Sequence, residues 1–276
     1  MNIRQLFSAE DRTAIEKYCE ARAKPIFLGD NTSLARVLGS LKMYVDTHDE
    51  SLAPHLLMDG FWEMWVTQAV VNHVKPGMRC LDLGANFGYY TLLLASLVGS
   101  KGAVYGYEPL PRLANLLRAS IAVNGFGWAK AVERAAAGYS EQGVNLYYDE
   151  KCLGSGSLRK FLDADSRSFV VTENLDEAFP DEIFDFVKID VQGCEFEVLE
   201  GMKEIIKRSP KIAIALEFTP SGYESPQDEI VMVLEHHALT LRTIGTDGVV
   251  RPISIEEACQ AETGDHRMLW LTRESP

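Results

Sequence analysis

Several things are scarce in this sequence. Its longest apolar run, around Tyr89–Val98, falls well short of the roughly 20 residues that a membrane-spanning helix needs. Five cysteines (Cys19, Cys80, Cys152, Cys194 and Cys259) are widely spaced, odd in number and without a Cys-x-x-Cys pair, which argues against a disulfide framework or a zinc site. None of the six histidines (His48, His55, His73, His236, His237 and His266) has the sequence spacing of paired metal ligands. Positive charge is in deficit: 27 Lys and Arg face 40 Asp and Glu, for a net charge of −13. Backbone phosphates demand clustered Lys and Arg, so an extended nucleic-acid or anionic-membrane surface is not expected. The N-terminus is polar with early acids, unlike a signal peptide. Repeats and low-complexity tracts are also missing. A soluble cytoplasmic protein is the expectation. Hydrophobic content of 46% and charged content of 24% suit a globular chain with a full core.

What is there centres on residues 79–91. Arg79 to Leu83 reads as a buried strand, Gly84 to Gly88 as a tight turn, and Tyr89 to Val98 as a helix. A strand running through glycines into a helix start is how α/β proteins build a nucleotide-type site. Free N–H groups and the positive dipole end there favour an anion, here a carboxylate. The turn is Asp-x-Gly-x-x-x-Gly (Asp82, Gly84, Gly88), with Ala85 and Asn86 between the glycines, and differs from the Gly-x-Gly-x-x-Gly of dinucleotide sites. Glu108 ends a second strand, Ala103–Tyr107, about 20 residues on, where an acid can hold both hydroxyls of a ribose. A ligand with a ribose and an amino-acid end, such as S-adenosylmethionine, fits this better than a dinucleotide.

Along the chain, Ser8 to Ala23 reads as an amphipathic helix capped by Ser8, and Ile26–Leu28 and Leu41–Val45 as short strands. Residues 1–60 are expected to form a small cap with too little apolar material to stand alone, and 61–276 the main domain. A helix is expected from Phe61 to Val74, with Glu63 and Thr67 on one face; Glu63 could receive the ligand's ammonium. His55, in the cap, could act as a base. Pro111–Val123 is a helix ending at Asn124-Gly125, and Ala129–Glu133 a third strand. A backbone N–H in the small residues that follow, near Ala136, could meet an adenine edge. Gly143–Tyr148 and Ser168–Val171 read as extended, and the stretch between them, Asp149 to Ser166, rich in Gly, Ser and charge, as a mobile loop. Phe184–Ile189 and Lys211–Phe218 are further strands, and Gly193–Lys207 and Gln227–His237 helices. Leu239–Ile244 and Met268–Thr272 would finish the sheet as an antiparallel hairpin. The alternation gives a doubly wound, mostly parallel seven-stranded sheet with helices on both faces.

A second group of residues lies at the same sheet edge. Asp82, Glu108, Asp190 and Glu217 all fall at carboxyl ends of strands, where open α/β sheets bind ligands. Four acids at one mouth repel unless something positive lies between them. Lys188 shares the side of its strand with Asp190 and could orient it. Asp190 and Glu217 are the candidate reactive carboxylates, and Asp190 also a cofactor contact. With Glu195 they could hold Mg²⁺ through oxygen, but carboxylates commonly stand at strand ends without metal, and none is expected.

Taken together, Leu81-Asp82-Leu83-Gly84-Ala85-Asn86-Phe87-Gly88-Tyr89-Tyr90-Thr91, Tyr107-Glu108-Pro109, Val187-Lys188-Ile189-Asp190-Val191-Gln192-Gly193-Cys194-Glu195 and Val198-Leu199-Glu200-Gly201 resemble the FkbM-type SAM-dependent methyltransferases. The usual pattern has Glu where this chain has Gln192, and commonly Ala where it has Cys194. The resemblance implies a class I methyltransferase (Rossmann-like) fold, S-adenosyl-L-methionine as cofactor, and methylation of a hydroxyl on a sugar, glycan or secondary metabolite. It carries over Asp82, Gly84, Asn86, Gly88 and Glu108 as cofactor contacts, with Asp190 at the reaction edge. No Asn/Asp-Pro-Pro-Tyr tetrapeptide follows the fourth strand, which disfavours methylation of nucleic-acid bases. A cofactor-binding scaffold without turnover and an NAD-dependent oxidoreductase are the alternatives; the spacing of the turn argues against the latter. A homo-oligomer is compatible with the sequence.

Overall fold

The computed structural model describes residues 3–9, 11–260 and 266–273. Eight strands form the main sheet: Arg79–Leu83 (β1), Ala103–Tyr107 (β2), Ala129–Val132 (β3), Phe186–Ile189 (β4), Ala213–Phe218 (β5), Thr240–Ile244 (β6), Val250–Pro252 (β7) and Arg267–Thr272 (β8). Their order is β7-β6-β8-β5-β4-β1-β2-β3. The five strands β3, β2, β1, β4 and β5 run parallel. β8 enters antiparallel between β5 and β6. This is the expected doubly wound arrangement plus one strand. The expected final pair, β6 and β8, does lie side by side and antiparallel. The unforeseen β7 is a three-residue edge strand, where Pro252 costs no ladder bond that a central strand would need.

The sheet is buried on both faces by strict alternation. Cys80, Val104, Phe186, Ala213, Ala215 and Trp270 join one core; Leu81, Leu83, Val187, Ile189, Ile214, Leu216 and Leu271 join the other. Helices Met64–His73 (α1), Tyr89–Val98 (α2) and Pro111–Val123 (α3) pack in the first core. Glu195–Glu200 (α4), Lys203–Arg208 (α5) and Pro226–His237 (α6) pack in the second. A single helix was expected over 193–207. It is broken at Gly201-Met202, where the chain passes tight against the backbone of Ala137.

Nine of the ten residues of α2 are buried, so the helix needs cover on both sides. The sheet gives one side and the N-terminal segment helps close the other. The expected helix over 8–23 is two helices, Ile3–Ala9 and Arg12–Glu20, and the cap is Asp11, whose carboxylate accepts from Ala14 N, not Ser8. Ser8 Oγ instead donates back to Arg4 O. The Arg4 guanidinium donates to Val74 O (2.6 Å) and Leu97 O (3.2 Å), covering the carbonyl ends of α1 and α2 together. Ile26–Gly29, Thr32–Val37 and Leu41–Asp46 form an antiparallel sheet that docks on α3. Asn124, at the end of α3, pairs both ways with the Lys42 backbone.

Candidate active site

The turn after β1 is shaped by a near collision. A Cβ on Gly84 would stand 1.8 Å from Asp190 O, and its φ of +81° is one that L side chains rarely adopt. Only glycine lets β1 and the chain leaving β4 come this close. The expected free amides are not found in the turn itself. Gly84 N and Ala85 N both donate to Tyr107 O, and Asn86 N to Glu108 Oε2 (2.8 Å). Phe87 N donates to Asn86 Oδ1, and Gly88 N to Ala85 O. The turn is braced by its neighbours, and Asn86 holds φ +52° to do it.

Glu108 also accepts from Leu110 N (2.9 Å) through its other oxygen. Burial pushes its carboxyl up to about 7, against these two hydrogen bonds. Asp82 is a different kind of acid. It lies beneath the turn, 1% exposed, and accepts from Thr91 Oγ1 at 2.5 Å. Burial pushes it up to about 6.

A cavity of about 290 Å³ opens beyond these strand ends, with room for roughly ten waters. Its lining includes Asn86, Tyr90 and Glu108 beside the turn and Asp190, Gln192 and Glu217 from the strands next to it. Ala135–Ala137 is a short strand paired with Thr172–Asn174, and Ala135 N donates to Val171 O, so by alternation the Ala136 N–H is turned away from that partner. The remaining wall was foreseen only in part. Val144–Asp149, Cys152–Ser157 and Ser166–Val170 form an antiparallel sheet: its first and last strands in chain order fall on the stretches expected to be extended, and Cys152–Ser157 lies where a mobile loop was expected. Leu146, Leu153, Gly154 and Leu158 give it an apolar inner surface. A Cβ on Gly154 would meet Asn86 Nδ2 at 2.7 Å, so this sheet lies directly over the turn.

Next to the turn, Lys188 is 1% exposed and donates from Nζ to Asp190 Oδ2 (2.9 Å), over the face of Tyr90. Burial would lower its pKa, but Asp190, Glu217 and Glu63 around it more than offset that and raise it. Burial likewise disfavours charge on Asp190, yet the Lys188 ammonium holds its carboxyl well below the usual range. Glu217 is pushed the other way by burial and by Asp190. Gln192 Nε2 ties the two acids together, donating to Asp190 Oδ1 (2.7 Å) and Glu217 Oε2 (2.8 Å). The geometry explains why an amide rather than an acid stands at 192: a carboxylate there could donate to neither.

Of the remaining sequence candidates, Glu63 is buried ahead of α1 in the left-handed region (φ +37°). The helix begins at Met64, not Phe61, so Glu63 precedes the face it was expected to share with Thr67. Its Oε2 accepts from Tyr90 OH (3.1 Å). His55 is half exposed, pairs with Asp59 (3.0 Å) and stacks near Trp62, which lines the cavity although His55 does not. Asp82, Gly88, Glu63 and Lys188 also lie outside the lining. Glu195 is not grouped with Asp190 and Glu217 as a ligand set. Its carboxylate accepts from Val191 N, Gly193 N and Tyr223 OH, and so braces the loop over residues 190–194. All five cysteines are unpaired.

The chain matches the methyltransferase FkbM domain over residues 82–241, more than half its length. It belongs to the FkbM methyltransferase family. Curated relatives are more distant. Protein-L-isoaspartate O-methyltransferase 1 of Arabidopsis thaliana is 31% identical over 99 residues, which are 36% of this chain and 39% of that protein. Protein-L-isoaspartate O-methyltransferase of Caenorhabditis elegans is 40% identical over 50 residues, 18% of this chain and 22% of that one. This chain therefore spans well under half the length of these two relatives. Among solved structures, methyltransferase FkbM from Methylobacillus flagellatus KT is 15% identical with a TM-score of 0.43, covering 76% of this chain and 54% of that one. A SAM-dependent O-methyltransferase from Thermotoga maritima is 14% identical with a TM-score of 0.46, covering 92% and 87%. In this FkbM-family chain the matched stretch takes in the turn, Glu108, the sheet over residues 144–170, Asp190 and Glu217. Glu63 and His266 fall outside it.

Proposed function

We propose that this FkbM-family chain transfers a methyl group from S-adenosyl-L-methionine to a hydroxyl of a sugar, glycan or secondary metabolite. The observation that carries the reading is one cavity lined by two chemically distinct groups: Gly84, Ala85 and Asn86 of the turn with Glu108, and the Asp190–Gln192–Glu217 chain. The donor set fits the cofactor. Glu108 keeps acceptor capacity for ribose hydroxyls beyond the two amides it already serves. Leu146, Leu153 and Leu158 offer apolar cover for a base, with the Ala136 N–H near its edge. Gly84, Ala85 and Asn86 shape the amino-acid end, with Gly88 and Asp82 holding that turn from below.

When bound, this cofactor supplies an electrophilic methyl on a sulfonium. The protein's part is mostly positioning, since holding two reactants aligned and close accounts for much of such a rate. Lys188 fixes Asp190, and Gln192 fixes Asp190 against Glu217, so that the pair can accept a hydrogen bond from the acceptor hydroxyl and then its proton. His55 adjoins Trp62 at the rim and is a weaker candidate for the same task. The names of the curated relatives raise a second acceptor, a protein carboxylate. The acids in the second group weigh against it, because an anionic acceptor would be repelled there.

The test is transfer of an isotopically labelled methyl group to a panel of sugars, polyhydroxylated metabolites and an isoaspartyl peptide. The proposal expects label in a base-stable ether on a hydroxylated acceptor. Label in a base-labile methyl ester on the peptide, or in no acceptor, contradicts it.

A further inference from the structure

Beside the cavity, three side chains from separate elements converge on one point. Glu63 precedes α1, Glu217 lies near the carboxyl end of β5, and His266 stands just ahead of β8. One ligand-capable atom from each lies within 4.8 Å of the others. His266 Nε2 is 3.5 Å from Glu63 Oε1 and 3.7 Å from Glu217 Oε1. Those separations are long for hydrogen bonds. They match two ligands spanned by one ion: with bonds of about 2.0–2.1 Å, the edge of a coordination tetrahedron is about 3.4 Å.

The surroundings are already arranged for it. Each carboxylate uses one oxygen elsewhere and turns the other to the imidazole. Glu63 Oε2 accepts from Tyr90 OH, and Glu217 Oε2 from Gln192 Nε2. Such outer hydrogen bonds orient metal ligands and tune their basicity. The charge also has room for a cation. Three carboxylates (Glu63, Asp190 and Glu217) face one ammonium, Lys188, which is tied to Asp190. Glu63 is nearly closed off, with its side chain 5% exposed, whereas His266 is 45% exposed and gives the ion a way in.

We propose that Glu63, Glu217 and His266 bind a single divalent transition-metal ion of the zinc type. An imidazole with two carboxylates suits zinc and its first-row neighbours better than calcium or magnesium, which prefer all-oxygen sets. Glu217 also lines the cavity, so an open position on the ion adjoins the space assigned above to the acceptor. The binding claim itself does not depend on that assignment.

The experiment is titration of chelator-stripped full-length protein with Zn²⁺ by calorimetry, repeated with Co²⁺ while recording its visible absorption. The expected result is one ion per chain and a tetrahedral Co²⁺ spectrum. His266→Ala and Glu63→Gln should each weaken binding by roughly tenfold or more, with circular dichroism unchanged. His266 is exposed enough that its loss should not unfold the chain. No uptake of either ion, or uptake unchanged in both variants, overturns the proposal. A failed methyl-transfer assay would leave this readout standing, since no cofactor is present.

Discussion

Gln192 sits at φ +54° and offers its amide to two acids at once. Replacing it by Glu would remove the only donor of that bridge and add a third carboxylate beside Asp190 and Glu217. Gln192→Glu should therefore lower the melting temperature, and the gap from the parent should widen as pH rises from about 5 to 8, because the new repulsion grows as the acids ionise. A gap that is constant across pH would contradict the bridging role. Glu108 makes a second pH statement. Its folded carboxyl lies at about 7, above an ordinary value of 4.5. The unfolded chain loses this proton first, so burial of Glu108 costs nothing below pH 4.5, and stability falls as pH rises through 4.5 to 7. Binding runs the other way. Two ribose hydroxyls need acceptors, so affinity for S-adenosylhomocysteine should fall by up to about tenfold per pH unit below 7, and this slope should vanish in Glu108→Gln. Lys188 gives a third. It is 1% exposed and is the one cation hydrogen-bonded to Asp190 among the described contacts. Lys188→Met should cost roughly 3 kcal/mol or more in chemical denaturation, since it strands a carboxylate among other acids.

At the scale of elements, what could be read ahead and what could not divide along physical lines. The strands β1, β2, β4 and β5 are buried on both faces and read as apolar runs, and the helices between them end at Gly or Pro signals, so they were legible. In the sheet over residues 144–170 the first and last strands were legible, but Cys152–Ser157 was not. That strand has no buried face to impose alternation, and its Gly and Ser residues look like loop. Only its inner contact with the turn gives it away, and that contact is tertiary. Gly154→Val tests whether this sheet belongs to the site: the added side chain must displace Asn86. Cofactor affinity should drop by tenfold or so while the melting temperature stays within a few degrees; unchanged affinity would separate the sheet from the pocket. The loop over 190–194 was also only half legible. Asp190 stood out, but the role of Glu195 as its brace depends on amides that point back at it and on Tyr223 from a later segment.

At the scale of the whole molecule, the sheet has two cores, and the cavity lies where the first-core turn after β1 meets the chain leaving β4. The family match over residues 82–241 covers most of that cavity, but Trp62 and Leu52 reach it from the segment before, and Glu63 and His266 flank it from outside the match. Those outer pieces come from both ends of the chain, so although Glu63 was singled out in the sequence, its meeting with His266 is tertiary and no local motif announced it. Among the described residues no helix is long and apolar enough to cross a membrane. The measurement that tests the account most directly is calorimetric titration of the parent protein and Glu108→Ala with S-adenosylhomocysteine. The account predicts one molecule bound per chain by the parent and at least a roughly tenfold weaker association for the variant, in line with the loss of one or more charge-assisted hydrogen bonds. No heat of binding with the parent, or equal affinity in both proteins, would contradict it.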